Sequence, residues 1–180
     1  GWAQPAGNVV AALETPGLPQ ALADLLRQVA DYDHTVMFGY RGIDPPIDIF
    51  DDFPTGKRKV FVTDYQAGPY LLDPFYQAAV RPVAPGLHRL RDMAPDRFYQ
   101  GEYFRNYYVR TGLAEEIAYF VDLPDRTMLV LSLMRTEKPF SQREFHALAA
   151  VQPFILATVR RHWASLGQRF ATGGGSTRRA

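Results

Sequence analysis

The segment RTMLVLSLMR, residues 126–135, constrains the fold most, because it is apolar on both sides when extended. Alternate side chains of a strand point to opposite faces. One face then carries Met128, Val130, Ser132 and Met134, and the other carries Leu129, Leu131 and Leu133. Such a strand is typical of the centre of a sheet that is covered on both faces. The preceding segment AEEIAYFVDL predicts a partner strand, and PDR between the two predicts a hairpin.

The other elements can be placed around this hairpin. Leucines at helical spacing predict a first helix from about Pro19 to Ala30. Strands are predicted over 34–40 and 47–50, mostly helix over 70–110, including GLHRLRDM, and either strand or helix over 55–68. The predicted fold class is α+β: an α/β/α sandwich with an antiparallel sheet and helices on both faces, similar to GAF and PAS domains.

The last helix has the clearest start signal in the chain. SQRE at 141–144 is a capping box, in which Ser141 and Glu144 bond each other's backbone amides. An apolar stripe then continues to about Leu166, and Pro153 inside it predicts a kink. We predict one long kinked helix that extends beyond the body of the domain.

The ends of the chain differ in composition from its middle. Residues 1–16 contain two prolines and many small residues, and are predicted to be loose. Residues 17–167 form the predicted GAF-like domain. Residues 168–180 are rich in Gly, Ser and Thr with a basic end, and predict a flexible linker or tail to a further domain.

Composition excludes several function classes. The chain has no cysteine, so disulfides and thiolate chemistry are excluded. A net charge of +1 indicates no general attraction to nucleic acid or to anionic membrane. No apolar run is long enough to span a bilayer, and no signal peptide is visible, so we expect a cytoplasmic protein without membrane contact.

No arrangement of residues indicates catalysis. The four histidines are scattered, no serine has a nucleophile context, and no glycine-rich phosphate loop precedes a helix. Glu115 and Glu116 are adjacent on a predicted strand, so they point to opposite faces, and one is expected to face solvent. We therefore predict no catalytic residues, no metal site, no cofactor and no enzyme activity.

Aromatic residues concentrate between positions 65 and 108. This stretch holds ten of the 24 aromatic residues in 44 positions, and seven of the ten are tyrosines. Buried tyrosines require hydrogen-bond partners. The rings are compatible with a filled aromatic core, or with a pocket wall that carries a few polar groups. An aromatic box with one buried acid would also suit a cationic amine.

Asp73 in YLLDPFYQA, residues 70–78, has two possible roles. Asp before Pro commonly caps a helix, with Pro74 in the favoured first position. The same carboxylate could instead bind a ligand. The two roles compete for the same oxygens.

The segment YQAGPYLLDPFY resembles the Tyr…Asp-Pro signature of the N-terminal ligand-binding domain of LuxR-type transcriptional regulators. FGY in the first strand and LSL in the fourth fit this domain, and the order of motifs over about 20–165 is similar to orphan members with a GAF-like sensor domain. The resemblance implies that Tyr65, Asp73 and Ser132 bind the ligand. It also implies that Met37 and Gly39 face the pocket. The full set of predicted ligand-binding residues is Met37, Tyr65, Tyr70, Asp73, Phe75, Tyr76, Tyr103, Tyr107, Ser132 and Met134.

Two departures from the quorum-sensing members bear on the ligand. The spacing from Tyr65 to Asp73 is one residue shorter than their pattern, and the only tryptophans, Trp2 and Trp163, lie near the ends. These departures argue against a homoserine lactone and favour an amine or amino-acid derivative. The sequence names neither the ligand nor the sign of regulation.

The resemblance also implies partners. The family places a helix-turn-helix domain after the sensor, and none is visible in these 180 residues. DNA would therefore be bound only through a missing C-terminal domain. The apolar stripes of the first and last helices predict a homodimer. The alternative is a GAF-like dimerisation or interaction module with a filled core and no ligand.

Overall fold

The computed structural model describes residues 1–81, 83–94 and 97–174. Within these ranges the strands form one five-stranded antiparallel sheet in the order β2-β1-β5-β4-β3. The strands are β1 (His34–Tyr40), β2 (Ile47–Asp51), β3 (Gly86–Arg89), β4 (Glu115–Leu123) and β5 (Thr127–Arg135). β5 lies in the centre of the sheet and is buried along its whole length, as its apolar faces predicted.

Helices cover both faces of this sheet. The α-helices are α1 (Ala3–Ala12), α2 (Leu18–Val29), α3 (Thr55–Arg58), α4 (Pro74–Ala79), α5 (Leu90–Met93), α6 (Val109–Thr111), α7 (Gln142–Ala150), α8 (Gln152–His162) and α9 (Gly167–Gly174). Two π-helical turns span Lys59–Asp64 and Phe104–Tyr108, and two 3₁₀ turns span Pro69–Leu72 and Phe98–Gln100. The predicted α/β/α sandwich is confirmed.

The first helical layer consists of α1, α2, α7 and α8. Its core includes Leu22 and Leu26 of α2 and Leu129 and Leu131 of β5, all without accessible surface. The Tyr119 hydroxyl on β4 donates to the Leu148 carbonyl of α7 at 2.6 Å. The apolar stripes from which a dimer was predicted are therefore buried within the chain itself.

The second layer is formed by the chain between β2 and β4, and it packs on the opposite face of the sheet. Val130, Ala118 and Phe38 contribute from the strands, and most of the aromatic residues of 65–108 pack against them. Phe75 meets Phe120 edge to face with ring centroids 5.3 Å apart. The aromatic concentration in the sequence thus becomes a second core, separated from the first by the sheet.

The hairpin between β4 and β5 has the predicted boundaries. The connection has three residues, 124–126, and Asp125 and Arg126 in it are left-handed, with φ angles of 64° and 53°. Three-residue hairpin loops commonly contain a left-handed residue. This geometry fixes the register in which Ala118 pairs with Ser132.

The predicted helix GLHRLRDM is half wrong. Gly86–Arg89 form the edge strand β3, and only Leu90–Met93 are helical. The segment is too short for periodicity to distinguish the two states, and pairing with β4 decides it. Residues 55–68, for which the sequence allowed either state, are helical over α3 and the first π-helical turn.

The prediction of a loose segment over 1–16 is also wrong. Helix α1 packs on α2, and its Val9 is completely buried. At the other end, the predicted tail begins as helix α9, and Phe170 retains only 8% of its accessible surface. The rest of the tail prediction, over 175–180, lies outside the described residues.

The predicted long final helix is divided in two. α7 ends at Ala150 and α8 starts at Gln152, with Val151 between them at φ −90°, ψ 0°. Pro153 occupies the first turn of α8, where its missing N–H costs nothing. A new helix start therefore replaces the predicted kink.

The capping box of α7 is confirmed. The Glu144 amide donates to the Ser141 Oγ at 3.1 Å, and the Ser141 amide donates to Glu144 Oε1 at 3.0 Å. We expect Ser141→Ala to lower the free energy of unfolding by about 1 kcal/mol in urea denaturation, because it leaves a first-turn amide without its acceptor. Ser165→Ala, at an exposed turn serine, is the control and should change it by less than about 0.5 kcal/mol. Equal effects of the two substitutions would contradict this role of Ser141.

Candidate functional site

A small cavity lies between the sheet and the second helical layer. Its volume is about 30 Å³, which is room for one or two water molecules. Most of its wall is apolar or aromatic, and the polar lining side chains come from separate elements. The lining residues are Val36, Phe38, Tyr40, Phe61, Tyr65, Asp73, Phe75, Tyr103, Tyr107, Tyr108, Thr111, Leu113, Glu116, Ser132 and Met134.

β1 presents a different set of residues to this cavity than the resemblance implied. Val36 pairs with Ser132, so Val36, Phe38 and Tyr40 share the cavity face of the sheet. Met37 pairs with Leu131 and lies in the first core on the other face. The prediction that Met37 faces the pocket is therefore wrong, because a shift of one residue along a strand exchanges the two faces.

Gly39 follows Met37 to the other face. A Cβ atom at Gly39 would lie 2.9 Å from the Leu166 side chain, on the side of the first helical layer. This contact explains the glycine by close packing rather than by a role at the cavity.

A chain of hydrogen bonds crosses the cavity wall from β1 to α4. The Tyr40 and Tyr65 hydroxyl oxygens are 2.7 Å apart, and the Tyr65 hydroxyl donates to Asp73 Oδ2 at 2.6 Å. Because Tyr65 uses its proton on Asp73, Tyr40 is the donor to Tyr65. Burial raises the pKa of both tyrosines well above the ordinary value of 10.0, so both remain protonated donors.

Asp73 performs the capping role and also takes part in this chain. Its Oδ1 accepts the Phe75 amide at 2.9 Å at the start of α4, while Oδ2 accepts the Tyr65 hydroxyl. The two roles compete less than the sequence suggested, because each uses a different oxygen. Burial raises the pKa of Asp73 to about 6, although the hydrogen bonds from Tyr65 and the backbone oppose the rise.

Glu116 is a second acid in the cavity wall. It lies on β4 opposite Met134, next to the pair Ala118–Ser132. Burial raises the pKa of the Glu116 carboxyl well above 4.5, the Asp73 charge adds to the rise, and the Ser132 hydroxyl offsets part of it.

The adjacent acids do point to opposite faces, as the sequence predicted, and they differ in burial: Glu115 is buried, whereas Glu116 is half-buried in the cavity wall. Glu115 is buried on the other side, where it pairs with Arg89 and accepts the Phe140 amide at 2.7 Å. The expectation that one of the two acids faces solvent is met in part, because Glu116 retains some accessible surface. Each acid has a polar environment supplied by tertiary contacts.

The remaining predicted site residues fall into two groups. Phe75, Tyr103, Tyr107 and Met134 line the cavity together with Tyr65, Asp73 and Ser132. Tyr70 and Tyr76 are buried one layer further out: Tyr70 packs on Tyr65 at 6.2 Å, and the Tyr76 hydroxyl donates to the Gly42 carbonyl at 3.1 Å. These two support the wall and do not line the cavity.

Tyr103 and Tyr107 close the outer side of the cavity. Their ring centroids are 5.3 Å apart, one turn from each other along the chain. The Tyr107 hydroxyl donates to the Val60 carbonyl at 2.9 Å, which ties the second π-helical turn to the first. π-Helical turns are rare and frequently occur at functional sites.

The sequence contained a signal for some of the residues that the prediction missed. Alternation along HTVMFGY predicts that Val36, Phe38 and Tyr40 share one face of the strand. Only the register with β5 shows that this face packs against the second helical layer. Glu116 alternates with Ala118 and Phe120 on β4, so it shares their face. Thr111 and Leu113 carry no sequence signal that we recognise.

Two further observations limit the chemistry. Across residues 1–81, 83–94 and 97–174, no three His, Asp or Glu side chains converge as they would around a metal ion. Within the same ranges, no helix combines the length and the apolar character that a membrane crossing requires. The site therefore consists of the buried acid Asp73, the half-buried acid Glu116, several hydroxyl groups and aromatic rings.

Solved structures with this arrangement of sheet and helices identify the fold. The ligand-binding domain of VqsR from Pseudomonas aeruginosa matches with a TM-score of 0.77 and 25% sequence identity, over 90% of this chain and 96% of that one. The chain resembles the LuxR-family ligand-binding domains, as the sequence predicted.

Two other LuxR-type matches agree in fold at lower identity. CepR2 from Burkholderia cenocepacia, described as an N-acylhomoserine lactone dependent LuxR-family transcription factor, gives a TM-score of 0.63 at 14% identity, covering 91% of this chain and 96% of that one. SdiA from Escherichia coli gives 0.55 at 16% identity, covering 89% and 68%. No family model and no curated protein sequence matches the chain.

Proposed function

We propose that this chain is the small-molecule-sensing domain of a LuxR-type transcriptional regulator. The cavity carries this proposal, because Ser132 lines the same space as Tyr65 and Asp73 although it is about 60 residues away from them in sequence. A hydrogen-bonding wall set among aromatic rings is typical of small-molecule sites. The effector that we propose is an amine or amino-acid derivative, in place of the homoserine lactone named for CepR2.

The signal would reach the end of the chain through β5. Ser132 lies at the cavity, and three residues further on Arg135 binds the Glu144 carboxylate through both terminal nitrogens, at 2.9 and 2.6 Å. Glu144 belongs to the capping box of α7, so a shift of β5 would move the start of that helix. We propose that this movement controls DNA binding by a separate C-terminal domain in the cytoplasm.

A thermal-shift screen of the purified chain against a metabolite library tests the proposal. A compound at 100 times its dissociation constant should stabilise the fold by about 2.7 kcal/mol and raise the unfolding midpoint. Asp73→Asn is the matched variant, since an amide oxygen can still cap α4 while the negative charge is lost. A compound that raises the unfolding midpoint of the wild type and of the variant equally would show that Asp73 does not bind it. A screen without any hit would contradict the sensing function.

The volume of about 30 Å³ favours a second candidate, a dimerisation or interaction module with a filled core. A homodimer is expected under either proposal. Trp2, just before α1, and Val10 on α1 remain more than half exposed and would be apolar contacts in it. Light scattering after size exclusion gives the mass in solution. A dimer that forms with no compound from the screen binding would support the interaction module over the sensor.

A further inference from the structure

The two acids of the cavity have no cationic partner in its wall. Asp73 and Glu116 both line it, and among the described lining residues none is Lys, Arg or His. Buried charges in proteins are normally paired with an opposite charge. Hydroxyl and amide donors satisfy these carboxyl groups in part, but they supply no net positive charge.

The rest of the wall is also suited to a cation. The rings of Phe38, Tyr65 and Tyr107 line the same space, with centroids of neighbouring rings 5.0 to 6.2 Å apart. The negative face of an aromatic ring attracts an ammonium group, and the attraction is strongest where water is excluded.

A larger pocket lies directly outside the cavity. It has a volume of about 260 Å³ and shares Tyr103 and Tyr107 with the cavity as lining residues. Pro69 and Leu72 supply apolar surface to its wall, and Asp64, Glu102, Asn106 and Arg110 supply polar and charged groups. The two tyrosines therefore separate an inner from an outer chamber. Ring contacts with each other and with Tyr65, together with the hydrogen bond from Tyr107 to the Val60 carbonyl, hold them in place. Displacement of these two rings would join the chambers into a space approaching the ~300 Å³ of small ligand pockets.

We infer that the effector is an amine with an extended apolar chain, whose ammonium group lies between Asp73 and Glu116 and whose chain passes Tyr103 and Tyr107 into the outer chamber. This inference rests on the proposed sensing function and specifies its ligand class. It assigns Glu116 as a specificity-determining residue that the family resemblance did not indicate.

The electrostatics of the pair agree with a bound cation. Burial raises the pKa of the Asp73 carboxyl to about 6, and burial together with the Asp73 charge raises the pKa of the Glu116 carboxyl well above its ordinary value. Each ionised carboxyl therefore raises the cost of ionising the other, and a cation between them would relieve that cost. A bound cation favours the ionised forms and lowers both pKa values, so binding should release protons. The other titratable groups facing the pair are Tyr40, Tyr65, Tyr103, Tyr107 and Tyr108, all phenols.

Isothermal titration calorimetry of the purified chain at pH 7 tests the inference with three probes of equal length. We expect hexylamine to bind at least about tenfold more tightly than hexan-1-ol, and hexanoic acid to be the weakest, because charged hydrogen bonds discriminate by this order. Titrations in two buffers of different ionisation enthalpy should show proton release with hexylamine only.

Three variants separate a specific effect from a structural one. Glu116→Gln should weaken hexylamine about tenfold and leave hexan-1-ol unchanged. Tyr107→Phe removes the bond to Val60 and should accelerate hexylamine association in stopped-flow fluorescence. Glu137→Gln, at an exposed site, should leave binding of hexylamine unchanged.

The outcomes distinguish the inference from the function on which it rests. Hexan-1-ol binding as tightly as hexylamine, or hexylamine failing to bind while a neutral library compound does, overturns the amine assignment and leaves the sensing function intact. An unchanged affinity in Glu116→Gln overturns the role of Glu116. If that variant does not fold, the ratio of the wild-type affinities for hexylamine and hexan-1-ol decides, together with the hexylamine affinity of Asp73→Asn. Failure of every compound overturns the sensing function itself.

Discussion

Glu115→Gln is expected to lower the free energy of unfolding by about 3–5 kcal/mol. The carboxylate of Glu115 is buried with the Arg89 guanidinium, and it also accepts the Phe140 amide. A neutral amide removes the counter-charge of Arg89. Its NH₂ group must also face one of these two donors, since its single oxygen replaces only one of the two acceptor oxygens.

This ion pair connects β3, β4 and the start of the α7 region, so its loss should affect the whole fold. Arg89 also lies over the Phe145 ring of α7 at 4.3 Å. Urea denaturation at pH 7 measures the change. Glu137→Gln, at an exposed site, is the control and should change the free energy of unfolding by less than about 0.5 kcal/mol.

A second substitution identifies the cause. Arg89→Met added to Glu115→Gln should recover most of the stability, because no uncompensated charge then remains buried. A double variant as unstable as the single one would show that packing, rather than charge pairing, stabilises this site.

The second large effect is a pH dependence of stability that Asp73 produces. The Asp73 pKa is about 6 in the folded chain against an ordinary value of 3.8. Between these values the folded state binds more protons than the unfolded one, so the free energy of unfolding falls as pH rises from about 4 to about 6. One pKa unit corresponds to about 1.4 kcal/mol, which gives a total of about 3 kcal/mol.

Comparison with Asp73→Asn tests this contribution. Glu116 acts in the same direction, and Glu144, whose pKa the Arg135 hydrogen bonds lower to about 2, acts in the opposite direction at lower pH. The Glu144 contribution cancels in the difference between wild type and variant, whereas the Glu116 pKa falls in the variant because the Asp73 charge no longer raises it, so the difference reports the coupled pair. Between pH 4 and pH 8, the free energy of unfolding of Asp73→Asn should rise by about 3 kcal/mol relative to that of the wild type. The free energy of unfolding of the control Ser165→Ala should follow the wild-type pH dependence. If Asp73→Asn also follows the wild-type pH dependence, Asp73 is not a buried ionisable carboxyl.

Agreement between sequence and structure was best where a pattern had a single solution. β5 and its hairpin partner follow from alternation, and α7 begins at its capping box because Ser141 and Glu144 satisfy each other locally. Disagreement arose where a long-range partner decides. The edge strand β3 exists because Gly86–Arg89 pair with β4. Met37 faces away from the cavity because of its register with Leu131.

By itself, the sequence determined the sandwich, the two faces of β5 and the capped start of α7. It also determined that the acid of the Asp-Pro pair, Asp73, lies among aromatic rings. These features depend on local periodicity and on short-range hydrogen bonds, which a linear pattern records. Only the tertiary structure decided which face of β1 meets the rings, that Glu116 joins Asp73, and that two tyrosines divide the site into chambers. Those facts depend on strand register and on burial. Register is set by contacts that are distant in sequence, and burial changes the pKa of a carboxyl according to its surroundings, which its own sequence neighbours do not specify.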